Sequence, residues 1–155
     1  MVSEEIGLNT VLEAAGIEVC ETDLGEYIIQ LAAEHPSHII APAIHKTRRE
    51  IARLFAYQLD VAYTEDPREL TQIARRALRR KFQTADMGIT GCNIACAETG
   101  HITTVSNEGN IRMSATVPRI HVAIMGMERV TACLEEHDIL FRLLCRGAAA
   151  QNMAT

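Results

Sequence analysis

Two short polar turns carry the residue types best suited to chemistry. Residues 97–100 read Ala-Glu-Thr-Gly and residues 107–110 read Asn-Glu-Gly-Asn. Each turn therefore places a carboxylate, which can accept hydrogen bonds or carry a proton, beside a glycine that lets a ligand approach the backbone. One interpretation is that both segments are ordinary hairpin turns. The other is a binding site in which Glu98 and Glu108 are catalytic and the ligand contacts come from Thr99, Gly100, Asn107, Gly109 and Asn110.

A histidine and a lysine that follow Pro42 are the next candidates. His45 and Lys46 offer an imidazole and an ammonium group that could bind an anionic ligand. The alternative is that Lys46 simply begins a helix. Two bare carboxylates would repel a small carboxylate ligand, so at least one of them must be protonated or paired with a cation. Lys46 and Arg112 are the cations that we expect in that role.

The five cysteines are too dispersed to indicate a metal centre. They are Cys20, Cys92, Cys96, Cys133 and Cys145, and no two of them form a Cys-x-x-Cys pair. Iron–sulfur clusters and structural zinc sites need several closely spaced thiolates, so we predict no metal ligands and no cofactor in this chain. Cys92 and Cys96 with His101 are not a recognised ligand set, and buried, inert cysteines are the favoured interpretation. Phosphate-loop, dinucleotide-binding and nucleophile-elbow motifs are also missing.

Hydrophobic periodicity predicts an α/β fold with a mainly parallel sheet, covering helices and an added β-hairpin. Strands are predicted at residues 17–20, 38–41 and 120–126, and the hairpin at residues 93–98 and 101–106. Helices are predicted at residues 3–15, from Asp23 to about residue 35, at residues 46–59 and from Asp66 onward, with one or two more over residues 127–146. The helix after Asp66 carries arginines on its outer face, where basic residues suit the negative end of the helix dipole.

Composition places the chain among single-domain soluble proteins. It has 155 residues, of which 48% are hydrophobic, and a formal net charge of −5. No apolar run approaches the roughly 20 residues of a membrane span, and the N-terminus lacks the pattern of a signal peptide, so we predict a cytoplasmic protein. The basic residues lack interleaved aromatic side chains, which argues against nucleic-acid binding.

Seven segments, in order along nearly the whole chain, resemble the LUD domain of bacterial lactate utilisation proteins. They are residues 1–9 (MVSEEIGLN), 21–31 (ETDLGEYIIQL), 37–47 (SHIIAPAIHKT), 85–91 (ADMGITG), 97–100 (AETG), 107–110 (NEGN) and 118–123 (PRIHVA). Within that family the similarity is strongest to the iron–sulfur subunit. The resemblance implies a fold like that of ribose-phosphate isomerase, glucosamine-phosphate deaminase and the CoA-transferases.

The resemblance also implies a function. Its members take part in the oxidation of L-lactate to pyruvate in a three-protein complex, so the other lactate utilisation subunits are the expected partners and a small carboxylate the expected substrate. The full-length family member carries 4Fe-4S clusters in a ferredoxin-like module. Residues 1–155 are expected to be a single, partial LUD domain without that module.

Two other functions remain open. The chain could be a stand-alone enzyme of isomerase or CoA-transferase type that uses Glu98 or Glu108 as a base or nucleophile. It could also be a non-catalytic remnant that only binds or assembles. Self-association or docking to a partner is expected in each case, because a partial domain leaves apolar surface uncovered.

Overall fold

The chain alternates helices and short strands, and the α/β class predicted from the sequence is confirmed. The computed structural model describes residues 2–37, 41–106 and 108–150. Within these ranges the helices are α1 (Val2–Glu5), α2 (Leu8–Ala14), α3 (Leu24–Ala32), α4 (Arg48–Gln58), α5 (Pro67–Thr84), α6 (Asn110–Thr116) and α7 (Leu134–Ala149). The strands are β1 (Met87–Gly91), β2 (Ile94–Cys96), β3 (Ile102–Thr103), β4 (Ile120–Ile124) and β5 (Val130–Thr131).

Helices α3, α4 and α5 form the main hydrophobic core. Its buried side chains are Ile28, Ala52, Phe55, Leu70, Ile73 and Ala74. Phe55 is only 1% exposed, which makes it one of the largest fully buried side chains. The outer face of α5 carries the exposed arginines, as its amphipathic spacing predicts.

Side-chain caps fix where these three helices begin, and they lie where the sequence predicts. The Asp23 carboxylate accepts hydrogen bonds from the amides of Gly25 and Glu26 at the start of α3. Asp66 caps α5 in the same way, with Pro67 in the first turn. At α4, Thr47 and Glu50 form a reciprocal capping box. Thr47 is therefore the N-cap of α4. A helix begins here, next to Lys46, as the alternative interpretation of Lys46 expected.

Parallel pairing predominates among the described strands, but these strands belong to two small sheets. β1 and β4 run parallel, with Met87 opposite Ile120 and Gly91 opposite Ile124. In the second sheet β2 pairs in parallel with β5 and antiparallel with β3. The β2–β3 pair is the predicted hairpin, and Gly100 adopts φ 71 in its turn. The specific likeness to the isomerase and CoA-transferase folds stays a prediction.

The strand predicted at residues 17–20 is wrong. The segment is irregular, because the side chain of Gln30 takes the place of a neighbouring strand. Its amide nitrogen donates to the carbonyl of Val19 at 2.8 Å, and its side-chain oxygen accepts from the backbone amide of Glu21 at 2.9 Å. The strand predicted at residues 38–41 lies mostly outside the described residues.

Three further predictions need correction. The helix at residues 3–15 is divided into α1 and α2 because Gly7 takes a left-handed conformation, with φ 62. The strand predicted as buried over residues 120–126 is β4, in which Ile120 and Val122 are exposed. Residues 127–146 are not continuously helical, since a 3₁₀ turn and β5 precede α7.

The pairing of α6 with β1 was not predicted, and a glycine makes it possible. Gly88 lies against the last turn of α6, where a Cβ atom would lie 1.8 Å from the backbone oxygen of Ser114. No side chain fits in that gap. This contact places α6 over β1 and brings the loop before α6 to the end of the strand.

Candidate functional site

A cavity of about 420 Å³ lies at the carboxyl ends of β1 and β4. Gly91 and Ile124 are the last residues of these strands, and both line the cavity. The loop before α6 and the segment that leads into α3 form its other walls. Ligands of open α/β sheets bind in crevices at the carboxyl ends of parallel strands, so this cavity is the leading candidate site.

Four carboxyl groups line this cavity, and no lysine or arginine lies among its lining residues. They are Glu21, Asp23, Glu26 and Glu108. Asp23 is occupied in capping α3, and Glu21 accepts a short hydrogen bond from the side-chain amide of Asn9. The cavity is therefore acidic, and an anionic ligand enters it only if some of this charge is neutralised.

Glu26 supplies that neutralisation. Burial in the first turn of α3 raises the pKa of the Glu26 carboxyl to about 7, and the nearby carboxylate of Glu21 contributes to the rise. A hydrogen bond between the two side chains acts in the same direction, as expected when the protonated Glu26 donates to Glu21. A carboxyl group that titrates near neutral pH can act as either a proton donor or a proton acceptor.

Neutral polar groups line the opposite wall. The hydroxyl of the buried Thr90 is joined to the ring Nε2 of His121 by a 2.8 Å hydrogen bond. In the loop before α6, the Ser106 hydroxyl accepts from the amide of Gly109 at 3.0 Å and donates to the side-chain oxygen of Asn110 at 3.2 Å. These contacts hold the hydroxyl and amide groups that a hydroxylated ligand could use.

The second of the two predicted turns contributes to this cavity. Glu108 and Asn110 line it, and Gly109, with φ 78, provides the left-handed residue from which α6 begins. Asn107 lies outside the described residues. Glu108, Gly109 and Asn110 thus lie at the start of a helix, which explains how they reach the strand ends.

The first predicted turn lies elsewhere, at the tip of the β2–β3 hairpin. A carboxylate oxygen of Glu98 accepts a hydrogen bond from the amide of Leu134 at 3.0 Å, so Glu98 caps the start of α7. Neither Glu98 nor Thr99 nor Gly100 lines the cavity. The Thr99 hydroxyl and the turn amides lower the pKa of the buried Cys96 thiol, so this turn stabilises its own strand end.

His45 and Lys46 form a separate cluster with Glu34. The Lys46 ammonium lies 2.6 Å from one Glu34 carboxylate oxygen, and His45 Nε2 lies 3.0 Å from the other. These contacts lower the pKa of Glu34. His45 Nδ1 is also 2.7 Å from the Ser37 hydroxyl. Lys46 therefore neutralises Glu34, and neither it nor Arg112 lines the acidic cavity.

The pattern that sequence reasoning missed is Glu21-x-Asp-x-x-Glu26. It lies in the first 34 residues, which hold eight acidic residues and no lysine or arginine. Asp23 was recognised only as a helix cap. An acid at the third helical position normally faces solvent, whereas Glu26 is partly buried where it lines the cavity.

The cysteines do not fit an iron–sulfur cluster in the part of the chain that the structure describes. Cys20 precedes α3, Cys92 follows β1, Cys96 ends β2 and Cys133 precedes α7, and all four are free thiols. Among the described residues, no three histidine, cysteine or acidic side chains are arranged to hold a metal ion. The prediction that this chain carries no cofactor is not tested by this arrangement and stays a prediction.

Comparison with known proteins decides the family. The LUD domain family matches residues 2–155. This chain belongs to the LUD domain family. It is 50% identical over 156 residues to "Lactate utilization protein B" of Shouchella clausii (strain KSM-K16), and 48% identical over 155 residues to the protein of that name in Bacillus cereus (strain AH820).

These matches cover all of this chain but only part of the relatives. "Lactate utilization protein B 2" of Bacillus mycoides (strain KBAB4) is also 48% identical over 155 residues. Each match covers 100% of this chain and 33% of the relative, so the chain spans about a third of the length of the curated relatives it matches. No solved structure matches significantly. None of the described helices is both long and apolar enough to cross a membrane.

Proposed function

We propose that this LUD domain takes part in lactate utilisation, as a component of a multi-subunit system that oxidises L-lactate to pyruvate. Its partners are the other lactate utilisation subunits. The identity to proteins named for lactate utilisation supports this role. The cavity at the ends of β1 and β4 is the proposed site for the small hydroxy acid.

The Glu26–Glu21 carboxyl pair carries the proposal. Conversion of a hydroxy acid to a keto acid removes two electrons and two protons, one proton from the hydroxyl oxygen and the other from the carbon that bears it. We assign the protonated Glu26 to substrate binding and not to either proton transfer, and its pKa of about 7 leaves this form populated near neutral pH. The electrons need an acceptor of the iron–sulfur class elsewhere in the system, and we assign no electron-transfer step to this chain.

Protonation of Glu26 would also admit the anionic substrate. With that proton in place, the cavity loses one of its negative charges, and the carboxyl group can donate a hydrogen bond to a ligand oxygen. Binding of lactate or pyruvate is therefore expected to weaken as the pH rises through about 7. Thr90 and Asn110 supply neutral polar contacts for the hydroxyl or keto oxygen.

Isothermal titration of L-lactate and pyruvate, at pH values on either side of the Glu26 pKa, tests the proposal. Wild-type protein should bind more tightly at the lower pH, and Glu26→Gln should keep its affinity at the higher pH because an amide does not ionise. Glu98→Gln is the matched control, since Glu98 lies outside the cavity. An equal loss of ligand affinity in Glu98→Gln and Glu108→Gln would favour the isomerase or transferase alternative. A wild-type affinity that does not change with pH would contradict the assignment of Glu26.

A further inference from the structure

A second open groove, about 450 Å³ in volume, lies between the segment after α4 and the first half of α5. Tyr63 and Thr64 lie on one side of it, and Arg68, Gln72 and Arg76 lie on the other. The last three are spaced four residues apart, so they follow one stripe of the helix. This groove is lined by none of the residues of the acidic cavity.

Two arginines of the groove are free to bind an anion. Neither guanidinium group, of Arg68 or of Arg76, has an ion-pair or hydrogen-bond partner among the described residues. The nearby acid Glu65 is already paired with Arg49 at 3.3 Å. Glu69 also lines the groove, and its carboxylate accepts a short hydrogen bond from Thr64. Exposed arginines farther along α5 extend the positive charge beyond the groove.

The spacing of the arginines favours an extended anion over a single small one. Eight residues of helix separate the Cα atoms of Arg68 and Arg76 by about 12 Å along the axis. Arginine forms paired hydrogen bonds with phosphate oxygens, and a chain of phosphates carries enough charge to engage both guanidinium groups.

Tyr63 adds an aromatic surface to the same groove. Its hydroxyl donates a short hydrogen bond to Glu65, while the side chain remains 51% exposed. The hydroxyl contact tethers the ring at the groove while half of the residue's surface remains accessible. A nucleobase can stack on such a ring whatever its sequence identity, because every base has a planar face.

We propose that this groove binds a nucleoside polyphosphate, with the phosphates at Arg68 and Arg76 and the base on Tyr63. The proposal does not depend on the function of the acidic cavity. Titrations with adenosine diphosphate, inorganic pyrophosphate and adenosine separate the contributions of the phosphates and of the base. Adenosine diphosphate should bind most tightly of the three.

Three variants test the named contacts. Arg68→Gln combined with Arg76→Gln should weaken binding of adenosine diphosphate by about tenfold or more, the loss expected for charge-assisted hydrogen bonds. Tyr63→Leu should reduce affinity for adenosine diphosphate but not for pyrophosphate. Arg79→Gln combined with Arg80→Gln makes the same change in net charge on the same helix but outside the groove, and should have little effect.

Three results would overturn the proposal. They are no binding of adenosine diphosphate, an equal loss of affinity in the two double variants, and equal affinity for pyrophosphate and adenosine diphosphate. The second would indicate attraction by the general charge of α5, and the third would remove the base from the site. Thermal unfolding of each variant checks that it is folded before titration.

Discussion

Replacing Glu26 with glutamine should change how the stability of the domain depends on pH. Burial and Glu21 raise the pKa of Glu26 from 4.5 to about 7, so the folded state holds this proton more tightly than the unfolded chain does. The sign follows from proton linkage: the contribution is fully present below about pH 4.5 and is lost as the pH rises through about 7. Glutamine can still donate to Glu21, but it does not titrate.

The size of this effect follows from the shift. The pKa of Glu26 rises by about 2.5, and each whole number of pKa corresponds to about 1.36 kcal/mol of unfolding free energy. The contribution of Glu26 is therefore at most about 3.4 kcal/mol. Because the side chain is only half-buried, solvent screening reduces the expected difference to about 1–2 kcal/mol.

Urea unfolding at about pH 5 and about pH 8 measures this difference. Relative to wild type, Glu26→Gln should gain about 1–2 kcal/mol in unfolding free energy between the two pH values. Glu13→Gln, at an exposed position on α2, should keep the pH dependence of the wild type. The reasoning is refuted if Glu26→Gln and wild type lose the same stability over this range.

Three further substitutions test the framework of the site. Gly88→Ala should lower the unfolding free energy by about 3 kcal/mol or prevent folding, because the added Cβ would lie 1.8 Å from the backbone oxygen of Ser114. Urea unfolding measures this loss. An unfolding free energy equal to that of the wild type would contradict the packing of α6 on β1. Phe55→Ala should cost about 3–5 kcal/mol in the same assay, since its ring fills the helical core, and a cost below that range would argue against this core. Glu98→Ala should lower the unfolding free energy by about 1 kcal/mol, because it removes the cap of α7. Glu98→Gln should keep most of the wild-type unfolding free energy, since its side-chain oxygen can still accept from the Leu134 amide. Equal losses of unfolding free energy in the two variants would argue against capping.

Local signals in the sequence predicted the helices around the core correctly. Asp23, Thr47 and the Asp66-Pro67 pair act within one turn of the residues that they cap, so their effect does not depend on distant parts of the chain. The hairpin at Gly100 was predictable for the same reason. The family resemblance was identified from seven segments that occur in order along the chain. No single one of these motifs would have established it.

The elements that could not be predicted from the sequence depend on contacts between distant parts of the chain. β1 is formed by its pairing with β4, about thirty residues later, and its glycine at position 88 is explained only by the approach of α6. Residues 17–20 have strand-like alternation, but the Val19 carbonyl and the adjacent Glu21 amide bond to the side chain of Gln30.

The candidate site was only partly predictable. Glu108 and Asn110 reach the cavity, as the interpretation of their turn suggested. Glu26 was missed, because its partial burial depends on a cavity formed by distant segments of the chain. Glu98 serves as a helix cap that sequence alone could not distinguish from a site.

Mapping where L-lactate binds tests the central claim most directly. Titration of isotope-labelled protein with L-lactate, followed by amide chemical shifts in NMR spectra, reports every contacted segment. The account predicts perturbations at Gly91, Asn110 and Glu26, around the cavity, and weaker binding above the pKa of Glu26. Perturbations confined to Thr99 and Gly100, or to the segment at His45, would contradict the assignment of the site to the ends of β1 and β4.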